Sequence, residues 1–304
     1  MQVAITGATG LIGRRLVRAL VGRGDEVAVL TRDPARAWSV LGTEVDALEW
    51  NAQADPAPVA ALSGAGAVVH LAGETVAQRW SAGAKRAIRD SRVLGTRNLV
   101  AGLREAGNDA APVLVSASAV GYYGPRGDEY VDESAPPGTD FLAQVCVAWE
   151  QEAAAAEQLG LRVAMVRTGV VLDRDGGALK RMLLPFRLGV GGPVAGGGQY
   201  MPWITATDLV ALYLAAVDGE DYTGALNATA PEPVTNREFS RALGRALHRP
   251  AIAPIPAVTM RLLYGEMSQL VTTGQRAIPS RTQQAGFRFT NPDLDAALAA
   301  VLGS

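Results

Sequence analysis

Gln2-Val3-Ala4-Ile5-Thr6-Gly7-Ala8-Thr9-Gly10-Leu11-Ile12-Gly13 reads as a short apolar run, a glycine turn and the start of a helix. This order is a device for holding a pyrophosphate. Gly7 permits the tight turn, Gly10 lets the backbone approach the phosphates, and Gly13 lets helix and strand pack closely. The N–H groups at the helix start, with their partial positive charge, face the anion. The same glycine spacing occurs in turns that bind nothing, so the context decides. Leu16, Val17, Leu20 and Val21 recur on one helical face, Gly22 and Gly24 stop the helix, and a second apolar run follows at 26–30. Together they make a β-α-β unit, in which Gly7, Thr9, Gly10, Leu11, Ile12 and Gly13 are candidate cofactor contacts.

The second strand ends in Leu30-Thr31-Arg32-Asp33-Pro34. NAD enzymes place an acid at this tip to bind the ribose 2′-hydroxyl. Here Thr31 holds the tip, and Arg32 can take a 2′-phosphate bidentately. Asp33 is the rival, about 20 residues past the turn. It lies one step beyond the strand, before a proline, where a helix cap is expected. The reading favours NADP(H) over NAD(H), with a merely solvated Arg32 as the alternative.

The 304 residues carry a net charge of −2 and are 48% hydrophobic, with acidic and basic residues interspersed. That balance argues for a soluble globular protein and against a nucleic-acid or polybasic membrane partner. No apolar run reaches membrane-spanning length, and the first strand begins where a signal peptide would lie. Cys146 is the single cysteine, which excludes an internal disulfide and suggests a reducing compartment, the cytoplasm. His70 and His248 lack ligand spacing, so no metal site is expected. His70, ending an apolar strand, reads as a buried, hydrogen-bonded imidazole.

Strand and helix patterns alternate through the first two-thirds. Apolar runs at 3–5, 27–30, 67–71, 113–115 and 162–166 read as strands buried on both faces, with helices at 14–21, 84–106 and 141–158. The expected fold class is therefore α/β, a Rossmann-type doubly wound parallel sheet with a smaller C-terminal substrate lobe. After about 170 the chain turns glycine-rich. Helices are expected at 208–217, 235–248 and 257–271, the last two separated by a proline-rich stretch at 250–256. The expected division is 1–170 plus about 205–230 for the Rossmann domain, and about 171–204 plus 231–304 for the lobe. The cleft between them is the default substrate site.

Val68-Val69-His70-Leu71-Ala72-Gly73, Gly95-Thr96-Arg97-Asn98-Leu99, Ser116-Ala117-Ser118 and Gly121-Tyr122-Tyr123-Gly124 resemble motifs of the extended short-chain dehydrogenase/reductase superfamily. Longer runs at 71–80, 89–97, 116–124, 167–193 and 227–239 resemble an atypical branch, the "epimerase family" or nucleoside-diphosphate-sugar epimerase-like proteins, which carries a C-terminal module of unassigned role. The resemblance spans essentially the whole chain. It implies an NADP(H)-binding Rossmann fold without a settled substrate, and adds Leu71, Ala72, Gly73, Arg92 and Ser116 as cofactor contacts.

Active members of that superfamily use a Tyr-x-x-x-Lys pair, the lysine lowering the phenol from about 10 toward neutrality. The lysines here, Lys85 and Lys180, have Ser81 and Gly176 four positions earlier. No such pair exists, and Leu142 and Cys146 align best with its two positions. Tyr122-x-x-x-Arg126 has the spacing but lies in a glycine-rich loop. The candidates for catalysis are Ser118, a donor able to orient a carbonyl, and Glu74, Tyr122 and Tyr123 as proton carriers. Cys146 is a thiol-acid candidate, but a helix-buried cysteine is usually just a small hydrophobe. Arg79 and Arg92 are candidate anion contacts. The run Gly196-Gly197-Gly198-Gln199 with Trp203, Thr205 and Asp208 sits where extended members read a nucleotide-sugar; a hairpin with a core tryptophan is the other reading. Two functions remain open. One is an NADP(H)-dependent epimerase or oxidoreductase with a non-standard acid/base and a small anionic or nucleotide-sugar-like substrate. The other is a non-catalytic NADP(H)-binding redox sensor or protein-interaction module.

Overall fold

The computed structural model describes residues 1–109 and 111–303. Seven strands form one sheet: β1 (Gln2–Thr6), β2 (Glu26–Thr31), β3 (Val45–Glu49), β4 (Ala67–His70), β5 (Val113–Ala119), β6 (Arg162–Thr168) and β7 (Gly224–Ala228). All pairings are parallel, in the order β7-β6-β5-β4-β1-β2-β3. The order reverses between β1 and β4, and the crevice beyond their carboxyl ends is the topological switch point at which such sheets bind ligands.

Helices cover both faces: α1 (Leu11–Gly22), α2 (Pro34–Leu41), α3 (Val59–Leu62), α4 (Ala82–Ala106) and α5 (Phe141–Ala154), followed by α6 (Gly177–Arg187) and α7 (Ala206–Asp218). Side chains alternate across each strand, so one strand feeds two cores. Val3, Ile5, Val27, Val29 and Val69 pack with Leu16 and Leu20 of α1 and Leu209 and Leu212 of α7. Ala4, Ala28, Leu30 and Val68 pack on the other face, with Leu62, Leu99, Leu103 and Ala153. This is why the strands read as unbroken apolar runs. β3, at the sheet edge, buries little beyond Val45 and so leaves no such run to read.

A third cluster joins Leu179, Leu183, Phe186 and Trp203 to Phe239 and Leu243 of α8 (Asn236–Ala246) and to Leu294 and Leu298 of the final helix, Leu294–Gly303. The helix expected over 257–271 is broken. α9 (Ala257–Tyr264) ends at Gly265, whose φ of +61° lies outside the helical region, and a 3₁₀ turn leads to a short helix at Gln269–Thr272. Likewise α5 ends at Ala154 and passes into a 3₁₀ turn, Ala155–Leu159.

Candidate functional site

At the β1 exit Gly7 takes φ +69°, and a Cβ there would lie 2.7 Å from the backbone of Leu71 and Ala72. The turn is thus pressed against the β4 exit. A Cβ on Gly13 would overlap the Gly7 carbonyl and Ala8, which is the close packing expected there. Gly10 is the N-cap residue of α1 and supplies no side-chain cap, and no acid stands in the first turn. By contrast α2, α4, α5, α7 and α8 each receive a side-chain cap. The open amides of α1 therefore face the crevice with their donors and partial charge unspent. That cradle fits a dinucleotide pyrophosphate. Gly176 closes in from the opposite side, since a Cβ on it would meet the Leu11 side chain at 2.7 Å. The preceding Asp173 is held 2.5 Å from the Arg15 guanidinium of α1.

At the β2 exit, Asp33 is committed elsewhere. Its carboxylate accepts the Arg36 N–H at 2.9 Å and caps α2. Its own N–H donates to the Thr31 hydroxyl at 3.3 Å. Arg32 is exposed and makes no ion pair among the described residues.

The β4 exit is locked by a buried strut. The Thr6 hydroxyl accepts from the N–H groups of Leu71 (3.2 Å) and Ala72 (3.1 Å). Its own hydrogen is then directed to His70 Nδ1 at 2.7 Å, leaving Nε2–H to donate to Thr96 at 3.0 Å. Burial, and secondarily Arg92, lowers His70 to about 4, so it is neutral. The satisfied imidazole expected from the sequence is what forms.

Arg92, on α4, lies against this exit. A Cβ on Gly73 would stand 3.1 Å from its Cζ. Its Nη1 donates to the carbonyls of Glu74 (2.9 Å) and Ile88 (3.0 Å), and its guanidinium lies 5.1 Å from the Trp149 ring centroid. The Glu74 N–H donates to Ser91 at 2.9 Å, and the Glu74 carboxylate accepts from Gln78 at 3.2 Å. Thr9, Leu11 and Ile12 on the turn side and Leu71 and Ala72 on the β4 side are half-buried around the crevice, and Gly10 and Gly73 are exposed there. Ser116 is buried and donates to the Ala117 carbonyl.

Ser118 belongs to a buried polar network that sequence reasoning missed. Its hydroxyl donates to Glu150 Oε1 at 2.6 Å, and Arg167 grips both Glu150 oxygens at 2.8 Å through Nε and Nη2. A serine whose proton is directed into the core presents a lone pair, not a donor, to any ligand. Arg167 Nη1 donates to the Tyr123 hydroxyl (3.0 Å), which donates to Asn227 (2.7 Å). Burial raises the Tyr123 phenol to about 12 despite Arg167, the opposite of what a proton carrier needs. Tyr122 is half-buried, with the Arg167 guanidinium 3.5 Å from its ring centroid. One signal could have exposed this network: Arg167, following the apolar run 163–166, demands a buried partner.

The remaining candidates serve the scaffold. Cys146 is buried, and desolvation, with Glu150 adding, pushes its thiol to about 12. Arg126 braces its loop through the carbonyls of Tyr123 and Pro136. Trp203 is 1% exposed within the third core. Gln199 bridges the carbonyls of Val194 and Val271. Thr205 caps α7, and Asp208 accepts from Thr205, Thr290 and Asn291. Arg79 is exposed beside Gly265. Among the described residues no group of acidic, histidine or cysteine side chains could hold a metal, and no helix is long and apolar enough to cross a membrane.

A parallel sheet, an open glycine cradle at its switch point and a family model matched over residues 3–227 define the class: the chain belongs to the NAD dependent epimerase/dehydratase family. Residues 255–301 match a domain of unknown function. Within the family the chain is 42% identical over 299 residues to an epimerase family protein of Mycobacterium bovis, covering 97% of this chain and 96% of that one. It is 39% identical over 310 residues to the chloroplastic epimerase family protein SDR39U1 homolog of Arabidopsis thaliana (99% and 87%). The crystal structure of human epimerase family protein SDR39U1 with NADPH superposes over the full length of both chains, with a TM-score of 0.89 and 34% identity.

Proposed function

We propose that this protein binds NADP(H) across the β1/β4 crevice and acts as an oxidoreductase or epimerase on a small anionic substrate. The observation that carries the cofactor reading is the uncapped start of α1 behind Gly7, Gly10 and Gly13, beside a β2 exit whose acid is spent on α2. The cofactor supplies hydride chemistry when bound. On this reading Gly7, Thr9, Gly10, Leu11, Ile12 and Gly13 hold the pyrophosphate, Thr31 and Arg32 the 2′-phosphate, and Leu71, Ala72, Gly73 and Ser116 the nicotinamide half. The solved human relative was crystallised with NADPH, which supports the phosphorylated cofactor. Residues 1–170 with 205–230 form the cofactor domain and the remainder a substrate lobe. A single buried thiol suits a reducing compartment such as the cytoplasm.

Acid/base duty falls to groups other than a Tyr-Lys pair, with Glu74 and Tyr122 the accessible candidates. A second reading, a non-catalytic NADP(H) sensor, is favoured by Tyr123 and Cys146, both held far above neutrality. One titration series tests both. Thermal shifts with NADPH, NADP⁺ and NADH should favour the phosphorylated pair, by about 2.7 kcal/mol at a hundredfold excess over Kd, and Arg32→Ala should abolish the preference. A preference for NADH overturns the cofactor reading, and equal affinity for NADP⁺ and NADPH removes the sensor.

A further inference from the structure

The 28 basic and 30 acidic residues nearly cancel over the whole chain, yet stretches 176–207 and 239–265 contain no acid at all. The fold brings these two stretches together. Arg249 Nε donates to the Arg187 carbonyl at 3.1 Å, and Ile255 bonds through its backbone to Pro193 and Ala195, both at 2.9 Å. At the other end, Arg181 of α6 donates to the Ala77 carbonyl, and Glu266, just beyond α9, pairs with Lys85. α6 and α9 are therefore tied to the same two stretches of chain at their ends.

The surface they make is both cationic and apolar. Of the fourteen large hydrophobic side chains exposed among the described residues, eight lie in these two stretches. Scattered singly they would need no explanation, but gathered they mark a surface that binds something. α6 presents Leu184 and Leu188, one helical turn apart, with Lys180, Arg181 and Arg187 exposed around them. α9 buries none of its eight residues and holds out Val258, Leu262 and Leu263 beside Arg261. Next to the end of α6, Arg241, Arg245, His248 and Arg249 line a cavity of about 660 Å³ together with Ile252, which is 82% exposed. Of all these cations only Arg245 forms an ion pair among the described residues, with Asp295.

We propose that this face docks the protein on an anionic membrane surface, the cations meeting lipid phosphates and the leucines entering the head-group layer. Charge decides the occupant. In a two-fold dimer through this face the patch would meet itself, setting like charges against one another. A nucleic acid would leave the leucines and Ile252 unused. An anionic bilayer takes both kinds of side chain at once. Apolar groups bury at the boundary of head groups and acyl chains, while the neighbouring Lys and Arg are drawn to the negative surface potential. Such docking needs no spanning segment, in keeping with the lack of any helix that could cross a membrane among the described residues. The near-zero net charge of the chain hides this face, because it averages over surfaces of opposite sign.

The test is co-sedimentation of the full chain with two kinds of vesicle, phosphatidylcholine alone and phosphatidylcholine with about one-third phosphatidylglycerol. The anionic vesicles should bind at least about tenfold more tightly, and the difference should shrink in high salt. Arg241→Glu combined with Arg249→Glu should weaken that binding at least about tenfold, since each cation near such a surface is worth about fivefold. Leu262→Asp on α9 should weaken it about tenfold, and Leu188→Asp on α6 repeats the measurement on the other helix. All four side chains are exposed, so Tm should stay within about 2 °C of the wild-type value. Arg104→Glu, exposed at the far end of α4, makes the same kind of charge change away from this face and should alter binding by less than about threefold. The proposal is overturned if wild-type protein does not prefer anionic vesicles, or if binding survives both leucine substitutions. It is also overturned if Arg104→Glu weakens binding as much as the Arg241 and Arg249 pair. A wild-type dimer that Leu262→Asp dissociates, without vesicle binding, gives the face to a second copy of the chain instead.

Discussion

Arg167 is buried and Arg92 half-buried, and the fold treats their charges in opposite ways. Arg167 is 4% exposed and fully neutralised. Burial works against its charge, yet the paired bonds to Glu150 hold it above its usual range. For Arg92, burial wins and lowers it. Around Arg167 all three nitrogens donate inside the protein, to Glu150, Tyr123 and the Glu133 carbonyl. Around Arg92 only one nitrogen is spent among the described residues. A charge the chain neutralises itself belongs to the scaffold; a charge it leaves open is a place for something the chain does not supply.

The contrast can be broken from either side. Glu150→Ala should have the largest effect, about 3–5 kcal/mol of lost stability in urea unfolding, because it strands the Arg167 charge in the core. A loss under about 1 kcal/mol would mean that the pair is not the structural member of the comparison. The second effect is pH-dependent and comes from His70, between the two regions. Its folded pKa, about 4, lies below the unfolded value near 6.5, so folding favours the neutral ring. That contribution is complete above pH 6.5 and is lost as pH falls toward 4. Unfolding should show roughly 2 kcal/mol less stability at pH 5 than at pH 7, and His70→Asn should flatten that limb. The smallest effect belongs to Arg92→Met. Without ligand it should change stability by no more than about 1 kcal/mol, the worth of its two neutral hydrogen bonds offset by relief of an unpaired charge. A loss comparable to that of Glu150→Ala would erase the distinction.

What the sequence made legible divides along the same line. The turn from Gly7 to Gly13 is local, since its glycines, strand and helix lie within some twenty residues, so spacing alone defined it. Asp33 as a cap was readable because the following proline marks a helix start. Glu150 and Arg167 meet across α5 and β6, and Glu150 sits in a helix rich in alanine and glutamate where any one acid reads as solvated. The spacing around Ser118 suggested a donor toward ligand. Only the fold shows the hydroxyl turned to Glu150. Trp203 and Asp208 suggested a ligand contact through their residue types, and three-dimensional packing spends them on the third core and the α7 cap. β3 and the break at Gly265 escaped notice for want of an apolar period in one and a proline in the other.

The strut from Thr6 through His70 to Thr96 carries a mechanical consequence. Thr96 stands one helical turn from Arg92 on α4, so the glycine turn and the Arg92 edge hang from a single rivet. The floor of the crevice cannot widen at one end without displacing the other. Across the crevice the loop at 173–176 is tied to α1 by the ion pairs of Arg15 with Asp173 and Asp175.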